Sequence, residues 1–348
     1  MSHIKIVKSF WLILLNFLPQ IMFTGLNYPI KDFIIWTRRE IFFLLIVSTI
    51  PTVLFAVTGW KWLAIPWVPI ALIGTAVAFV ISFKNNASYS RVWEARTAWG
   101  AIINASRAWA MLVKGFVNSE NQRELIKTHL AWVTALRFQL REPRSWETMS
   151  KPHNAEFRKK YFEVAELDTK LLDELPKYLH NKDFAYIAEK KNRATQILGL
   201  QAEKIKQILD KGEIDVQTEL QFQNILVELY RQQGVCERIK NFPYPRQFST
   251  LNLMFVKIFV VLVPFGMLQE FNKLGENLFW LTIPFSVLVS WILLSMERVG
   301  EVTENPFEGS SNDIPMTQIA RNIEIDLLDM IDEKELPSPI QPKNNIVM

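Results

Sequence analysis

The sequence predicts an all-α integral membrane protein, and three observations support that fold class. Four apolar runs, at 41–57, 65–83, 251–269 and 278–296, approach the roughly 20 residues that a helix needs to cross a hydrocarbon core about 30 Å thick. The only charged residue in these runs is Lys257. Between the second and third runs, apolar residues recur at three- and four-residue spacing in a charged background, which is typical of amphipathic helices. We therefore expect four transmembrane helices in two hairpins, with a large helical cytosolic domain between them.

Five parts follow from this pattern along the 348 residues. They are a cytosolic or interfacial N-terminal segment (1–39), a first hairpin (40–84), the helical cytosolic domain (85–248), a second hairpin (249–297) and a cytosolic C-terminal segment (298–348). In the first part, Phe10 and Trp11 are expected to anchor an interfacial helix, because no A-x-A cleavage site follows the short apolar stretch. In the last part, an amphipathic helix precedes a tail whose three prolines favour disorder.

Positive charges near the spans predict the orientation of the chain. The basic residues that adjoin the first two runs are Arg38, Arg39, Lys84, Arg91 and Arg96. The short links within the hairpins, 58–64 and 270–277, contain one lysine each. Since Lys and Arg close to spans favour the cytoplasmic side, we expect a multi-pass protein of the plasma membrane (the inner membrane of a bacterium) with both termini in the cytoplasm.

The second apolar run continues into charged sequence without a break. No glycine or proline lies between residues 75 and 99, although the chain passes from apolar residues to Lys84, Asn86 and Arg91 there. This predicts one long helix that leaves the bilayer and enters the cytosolic domain. At about 1.5 Å per residue, such a helix extends a membrane pathway tens of ångströms into the cell.

Two stripes at four-residue spacing mark the second run. One consists of Thr75, Phe79 and Phe83, and the other of Gly74, Ala78 and Ser82. Small residues let helices approach closely in lipid, so the second stripe is expected to seat a neighbouring helix. If several copies surround an axis, the Phe rings form a hydrophobic constriction that gates by dewetting. The spacing alone favours the alternative, in which the rings face lipid or pack inside a monomer.

Signals for catalysis are missing from the sequence. The four histidines have no metal-ligand spacing, and no P-loop, G-x-S-x-G or H-E-x-x-H motif is present. Cys236 has no evident partner base and is expected to be a small packing residue. We therefore predict neither an enzyme nor a bound cofactor or metal. Interleaved acidic and basic residues argue against nucleic-acid binding, and spans without central acidic residues argue against proton-coupled transport.

The segment FKNNASYSRVWEARTAWGAIINASR resembles the bestrophin signature, F-[RK]-x-N-x-x-Y-x-R-[WY]-W-E-A-R followed by W-G and N-x-S-R. The segments CERIKNFPYP (236–245) and ENPFEG (304–309) are similar to two further elements of the family. In this order the elements cover the chain from about residue 30 to 335. The matching signature residues are Phe83, Lys84, Asn86, Tyr89, Arg91, Trp93, Glu94, Ala95, Arg96, Trp99, Gly100, Asn104, Ser106 and Arg107.

The resemblance implies a homopentamer around a central pore that is lined by the second span. Its neck positions fall on Thr75, Phe79 and Phe83, and the small, partly polar Thr75 implies a wider or wetter outer end. Ile214 is a candidate for a second, cytosolic constriction. The expected vestibule and signature positions are Lys84, Asn86, Arg91, Trp93, Glu94, Arg96, Asn104 and Arg107.

The implied function is passive conduction of monovalent ions, with anions such as chloride as the expected permeant species. The implied partners are these ions, membrane lipid and further copies of the chain. Two alternatives stay open, a cation channel of the same fold and a membrane-anchored scaffold or sensor. Eukaryotic relatives carry an acidic cluster after N-P-F, where this sequence has only Glu308 and Asp313. Since calcium prefers six to eight oxygen ligands, we expect no calcium gating.

Overall fold

The computed structural model describes residues 23–25, 27–275 and 277–348, and these residues form an all-α fold without a β-strand. The helix expected around Phe10 and Trp11 lies outside the described residues. The α-helices of the described part are α1 (Ile30–Trp36), α2 (Arg38–Thr58), α3 (Trp67–Phe116), α4 (Ser119–Arg141), α5 (Pro152–Tyr161), α6 (Ala165–Asp168), α7 (Leu171–Glu174), α8 (Asn181–Ala188), α9 (Arg193–Asp210), α10 (Val216–Asn241), α11 (Arg246–Leu274), α12 (Thr282–Thr303) and α13 (Met316–Met330).

Four of these helices, α2, α3, α11 and α12, are long and apolar enough to cross a membrane. They contain most of each of the four apolar runs of the sequence, so the prediction of four candidate spans is confirmed. Pro51 lies inside α2 and Pro264 inside α11, and both helices continue through them. Membrane helices tolerate proline because neighbouring helices and local adjustments satisfy the freed backbone groups.

Close backbone contact joins α3 to α11. A Cβ atom on Gly74 would lie 2.6 Å from the ring of Phe259, and one on Gly266 would lie 2.7 Å from the ring of Trp67. Glycine at these two positions therefore allows the helices to approach. Of the small stripe predicted on α3, Gly74 seats a neighbouring helix in this way, whereas Ala78 and Ser82 are exposed in the protomer.

The prediction of one long second helix is confirmed, because α3 runs for 50 residues without interruption. At 1.5 Å per residue this corresponds to roughly 75 Å. Its N-terminal part packs against α11 and α12, and its C-terminal part packs against α10 and α13. A single continuous helix therefore connects the candidate spans to the helical insert between the second and third of them, which we call the inserted domain (expected at 85–248).

Buried aromatic residues pack among aliphatic residues in the core of the inserted domain. The rings of Trp109 and Phe222 meet edge to face with centroids 5.1 Å apart. His129 is fully buried between Ser106 Oγ (2.9 Å) and Gln201 Oε1 (3.2 Å), and burial lowers its pKa to about 4, so its ring is neutral. Cys236 is buried in the same core, where burial raises the pKa of its thiol, as expected for a packing residue.

The C-terminal tail differs from the disorder that its prolines suggested. The backbone N–H of Gln318 donates to the carbonyl of Met348 (2.8 Å), and that of Thr24 donates to the carbonyl of Asn345 (2.8 Å). Ile346 and Met348 are buried in a small apolar cluster with Phe162. The burial of these apolar residues stabilises the end of the chain against the rest of the fold, although the preceding prolines favour disorder.

We expect Gly74→Ala to destabilise the protein, because the added methyl group would press into the buried ring of Phe259. Such overpacking typically costs about 1–3 kcal/mol. The matched control is Gly199→Ala in α9, where an added Cβ meets nothing within 4 Å and alanine favours the helix. Thermal unfolding of the two purified variants in detergent checks this. Equal melting temperatures for both would contradict the close α3–α11 contact.

Candidate functional site: the exposed face of α3

One continuous face of α3 is left uncovered by the rest of the protomer. At about 100° per residue, the side chains of this exposed face lie within roughly 80° of one another around the helix axis. They are Thr75, Phe79, Phe83, Asn86, Ser90, Trp93, Thr97 and Asn104, all of them exposed. Val77, Ile81 and Ala95, on the other side of the helix, are buried. We call this set the exposed face of α3.

The chemistry of the exposed face changes along the helix. Phe79 is 63% exposed and Phe83 is 70% exposed, so both rings are largely uncovered within one protomer. From Asn86 onward the face carries amide, hydroxyl and indole groups. None of its eight side chains is charged. The face is therefore apolar in the span and polar but uncharged where α3 continues into the inserted domain.

Sequence reasoning identified most of this face but missed two of its residues. Thr75, Phe79 and Phe83 are brought together with Asn86, Trp93 and Asn104 on one side of α3. Ser90 and Thr97 also belong to the face, although no motif marks them. Their signal is spacing, since each lies four residues after another member, Asn86 and Trp93 respectively.

Lys84 lies on the opposite side of α3 and is buried. Its Nζ is 2.5 Å from Glu297 Oε1 and 4.0 Å from Glu304 Oε2, with 1% of the lysine side chain exposed. An unpaired charge at such a depth would be costly, so the partners are required. Lys84 therefore joins α3 to α12 inside the protomer, which differs from its expected position in an open vestibule.

Arg91 points inward as well and binds three backbone carbonyls. Its guanidinium donates to Glu304 O at 2.7 Å, to Phe242 O at 2.8 Å and to Ile239 O at 2.9 Å. The last two are at the C-terminal end of α10, where helix carbonyls lack intrahelical donors. Arg91 thus fixes α3 against α10 and against the segment that follows α12.

Other charged signature residues make contacts between helices near the surface. Arg238 in α10 donates to Glu94 in α3 at 2.5 Å. Arg107 binds Asp326 in α13 at 2.6 Å. Arg96 is half-buried. The Glu94–Arg238 and Arg107–Asp326 pairs thus join α10 and α13 to α3.

Ile214 does not offer an exposed side chain for a constriction. It lies between α9 and α10 and belongs to the buried core of the inserted domain. Two residues later, Val216 at the start of α10 is 68% exposed. The structure therefore places the candidate for a second constriction inside the protomer, where it contributes to packing.

Two buried carboxyl groups with protein donors lie after the N-P-F element, Asn305–Phe307. Glu308 accepts hydrogen bonds from the backbone N–H and the hydroxyl of Thr148, both at 2.8 Å. Asp313 accepts from Arg141 at 3.1 Å and from the Gly309 N–H at 2.5 Å. Within the described ranges, no group of three or more His, Cys, Asp or Glu residues is arranged to hold a metal ion.

Burial and the nearby charge of Asp313 raise the pKa of Glu308 to about 8. The proton binds the folded state more tightly than the unfolded chain, whose carboxyl has a pKa near 4.5. The protonated Glu308 side chain therefore stabilises the folded protein fully below about pH 4.5, and this stabilisation is lost as the pH rises through about 8.

We expect the stability gained by Glu308→Gln to grow as the pH rises from 5 to 8, because glutamine cannot ionise. The measurement is the difference in melting temperature between the variant and the wild type at each pH. Taking that difference removes the contribution of titrating groups that do not interact with Glu308, including the histidines. A difference that stays constant over this range would show that Glu308 is not protonated in the folded protein.

Comparisons with known proteins agree with this architecture. A family model described as Bacterial/Fungal Bestrophin protein matches residues 34–329. The chain is 27% identical over 275 residues to "Voltage-dependent anion channel-forming protein YneE" of Escherichia coli K12, covering 79% of this chain and 80% of that one. It is 28% identical over 274 residues to "Voltage-dependent anion channel-forming protein RSc3414" of Ralstonia nicotianae, covering 77% and 78%.

A similar solved structure is that of a bacterial Bestrophin homolog from Klebsiella pneumoniae. It superposes with a TM-score of 0.71 at 25% sequence identity, covering 85% of this chain and 98% of the other. The family model matches the sequence from residue 34 to residue 329, and the similarity in fold covers 85% of the chain. The chain therefore belongs to the bacterial and fungal bestrophin family.

Proposed function

We propose that the protein is an anion channel in which several copies surround an axis and the exposed face of α3 lines the ion pathway. The observation that carries this proposal is the continuity of that face, which extends from Thr75 in the span to Asn104 in the inserted domain. The names of the curated relatives, which describe anion channel formation, support the choice of ion.

The apolar part of the face suits a gate. Phe79 and Phe83 lie one helical turn apart, and their rings are free to project toward an axis. Rings from several subunits would surround a passage from which water withdraws, and an ion that loses its hydration shell there meets a high barrier. Thr75 carries a hydroxyl that donates to Ala71 O at 3.0 Å, and its smaller side chain leaves the outer end of the neck wider.

The polar part of the face suits a water-filled vestibule. The hydroxyls of Ser90 and Thr97 donate back to carbonyls of α3, at Asn86 and Trp93 respectively. The amide groups of Asn86 and Asn104 remain able to donate to an anion. Because the face has no fixed charge, a cation channel of the same fold is the alternative that a measured reversal potential must exclude.

Assembly and orientation complete the proposal. Five copies is the number that the bestrophin resemblance implies. The four candidate spans of the described residues put Phe23 and the C-terminus on one side of the membrane, and the basic residues next to the first two spans favour the cytoplasm for that side. The inserted domain then extends the pathway into the cytoplasm. We assign the chain no catalytic role.

We expect Phe79→Ala/Phe83→Ala to raise chloride flux severalfold in liposomes, because removal of the rings wets the neck. The matched control is Phe42→Ala/Phe285→Ala, which makes the same chemical change at exposed positions on α2 and α12. Bilayer recordings of the double variant in a potassium chloride gradient should give a reversal potential close to the equilibrium potential of chloride.

Three results would count against the channel. They are flux unchanged by the α3 substitutions, an equal increase in the control variant, and the absence of protein-dependent flux from an intact oligomer. The last result would favour a membrane-anchored scaffold. A reversal potential close to the equilibrium potential of the cation would be consistent with an ion pathway along α3 but would contradict the proposal that the permeant ion is an anion.

A further inference from the structure

A cavity of about 600 Å³ lies where α2, α11 and α12 meet the inserted domain. It is separate from the exposed face of α3. Six basic residues line it: Arg39, Lys84, Lys151, Arg246, Lys257 and Arg298. Three acidic residues also line it, namely Glu40, Glu297 and Glu301. The wall therefore has an excess of positive charge.

The acidic residues of the wall are each engaged by one of its basic residues. Glu297 binds Lys84, Glu40 binds Arg298 at 2.6 Å, and Glu301 binds Lys151. These pairs leave the positive excess on the three remaining basic residues of the wall.

Two of those three basic residues have an ion-pair partner outside the cavity, and the third has none. Arg39 and Arg246 pair with Glu156 (2.5 Å) and Glu304 (2.7 Å), neither of which lines the cavity. Among the residues that the structure describes, Lys257 has no ion pair and no side-chain hydrogen bond. Lys257 is therefore free to bind a ligand.

The positive charges of the wall lower the pKa values of two basic groups that line the cavity. Burial and the charges of Arg298, Lys151 and Arg39 lower the pKa of His153, which lines the cavity, to about 4. Burial and the charge of Arg298 also lower the pKa of Lys151. An anion in the cavity would relieve this repulsion.

Two carboxylate oxygens of the wall still lack a donor. Glu40 Oε2 and Glu297 Oε2 are buried, and neither has a hydrogen-bond partner in the described protein. Buried acceptors without donors are unfavourable. A ligand that satisfies this wall carries both a negative group for the basic residues and hydrogen-bond donors for the two carboxylates.

The position of the cavity indicates a lipid as the ligand. On α11, Arg246, Ser249, Thr250, Leu253 and Lys257 line it at three- and four-residue spacing. At about 1.5 Å per residue, this row is roughly 16 Å long, and Lys257 lies roughly 9 Å inside the third apolar run, which begins at residue 251. Phe43 of α2 and Leu253 are exposed apolar residues at its border. The lining thus combines charged and hydroxyl side chains with apolar side chains of α2, α11 and α12, as a headgroup joined to acyl chains requires.

We propose that this cavity binds an anionic phospholipid, with its phosphate among Lys257, Arg246 and Arg39 and with headgroup donors near Glu40 and Glu297. The hydroxyls of a phosphatidylglycerol headgroup fit this requirement, whereas the trimethylammonium of phosphatidylcholine has no N–H to donate. The binding site is independent of whether α3 lines an ion pathway.

Native mass spectrometry of the purified full-length oligomer tests the proposal. The protein is titrated separately with palmitoyl-oleoyl phosphatidylglycerol, with the matching phosphatidylcholine and with inorganic phosphate. We expect tighter binding of phosphatidylglycerol than of phosphatidylcholine. Lys257→Gln should weaken phosphatidylglycerol binding roughly fivefold, the effect of about one basic residue near an anionic lipid, and Lys257→Glu should weaken it further.

The matched control is Lys273→Gln, which removes an exposed lysine near the other end of α11. Leu253→Trp is a second variant, which narrows the apolar border without changing charge and should also weaken lipid binding. Equal affinity for the two lipids, or equal binding by the Lys257 and Lys273 variants, would overturn the proposal. Displacement of the lipid by millimolar inorganic phosphate would overturn it in favour of a small-anion site.

Discussion

The rotation of α3 about its own axis is the constraint on which the rest of the structure depends. Lys84 and Arg91 lie on one side of the helix, where Glu297 and three backbone carbonyls bind them. Because these buried charges need their partners, α3 cannot turn without losing them. The side with Phe79 and Phe83, roughly 110° away around the helix axis, is consequently left uncovered.

The same helix transmits this orientation from the membrane to the inserted domain. Gly74 sets its close approach to α11, and the edge-to-face contact of Trp109 with Phe222 holds its far end against α10. An uninterrupted helix has one register, so a rotation that is fixed near Lys84 also fixes the direction of Asn104. The uncovered face is therefore continuous, and its residues change from apolar to polar where the helix leaves the span.

The sequence predicted the parts that depend on local pattern. Four apolar runs predicted four candidate spans, and the lack of breaking residues predicted the length of α3. The environment of Lys84 could not be predicted, because Glu297 is 213 residues away and a lysine near a span end is compatible with either water or a buried pair. Ile214 lies between helices, where no periodicity indicates which side is buried, and the contacts of Met348 depend on tertiary packing alone.

Cysteine accessibility tests the orientation of α3 most directly. The one native cysteine, Cys236, is buried and should not react. Cysteines replacing Asn86 and Ser90 on the exposed face are expected to react with a charged, membrane-impermeant thiol reagent and to lose ion flux, whereas one replacing the buried Ser88 is expected to do neither. Block at position 88, or flux unchanged after complete modification at 86 and 90, would contradict an ion pathway along this face.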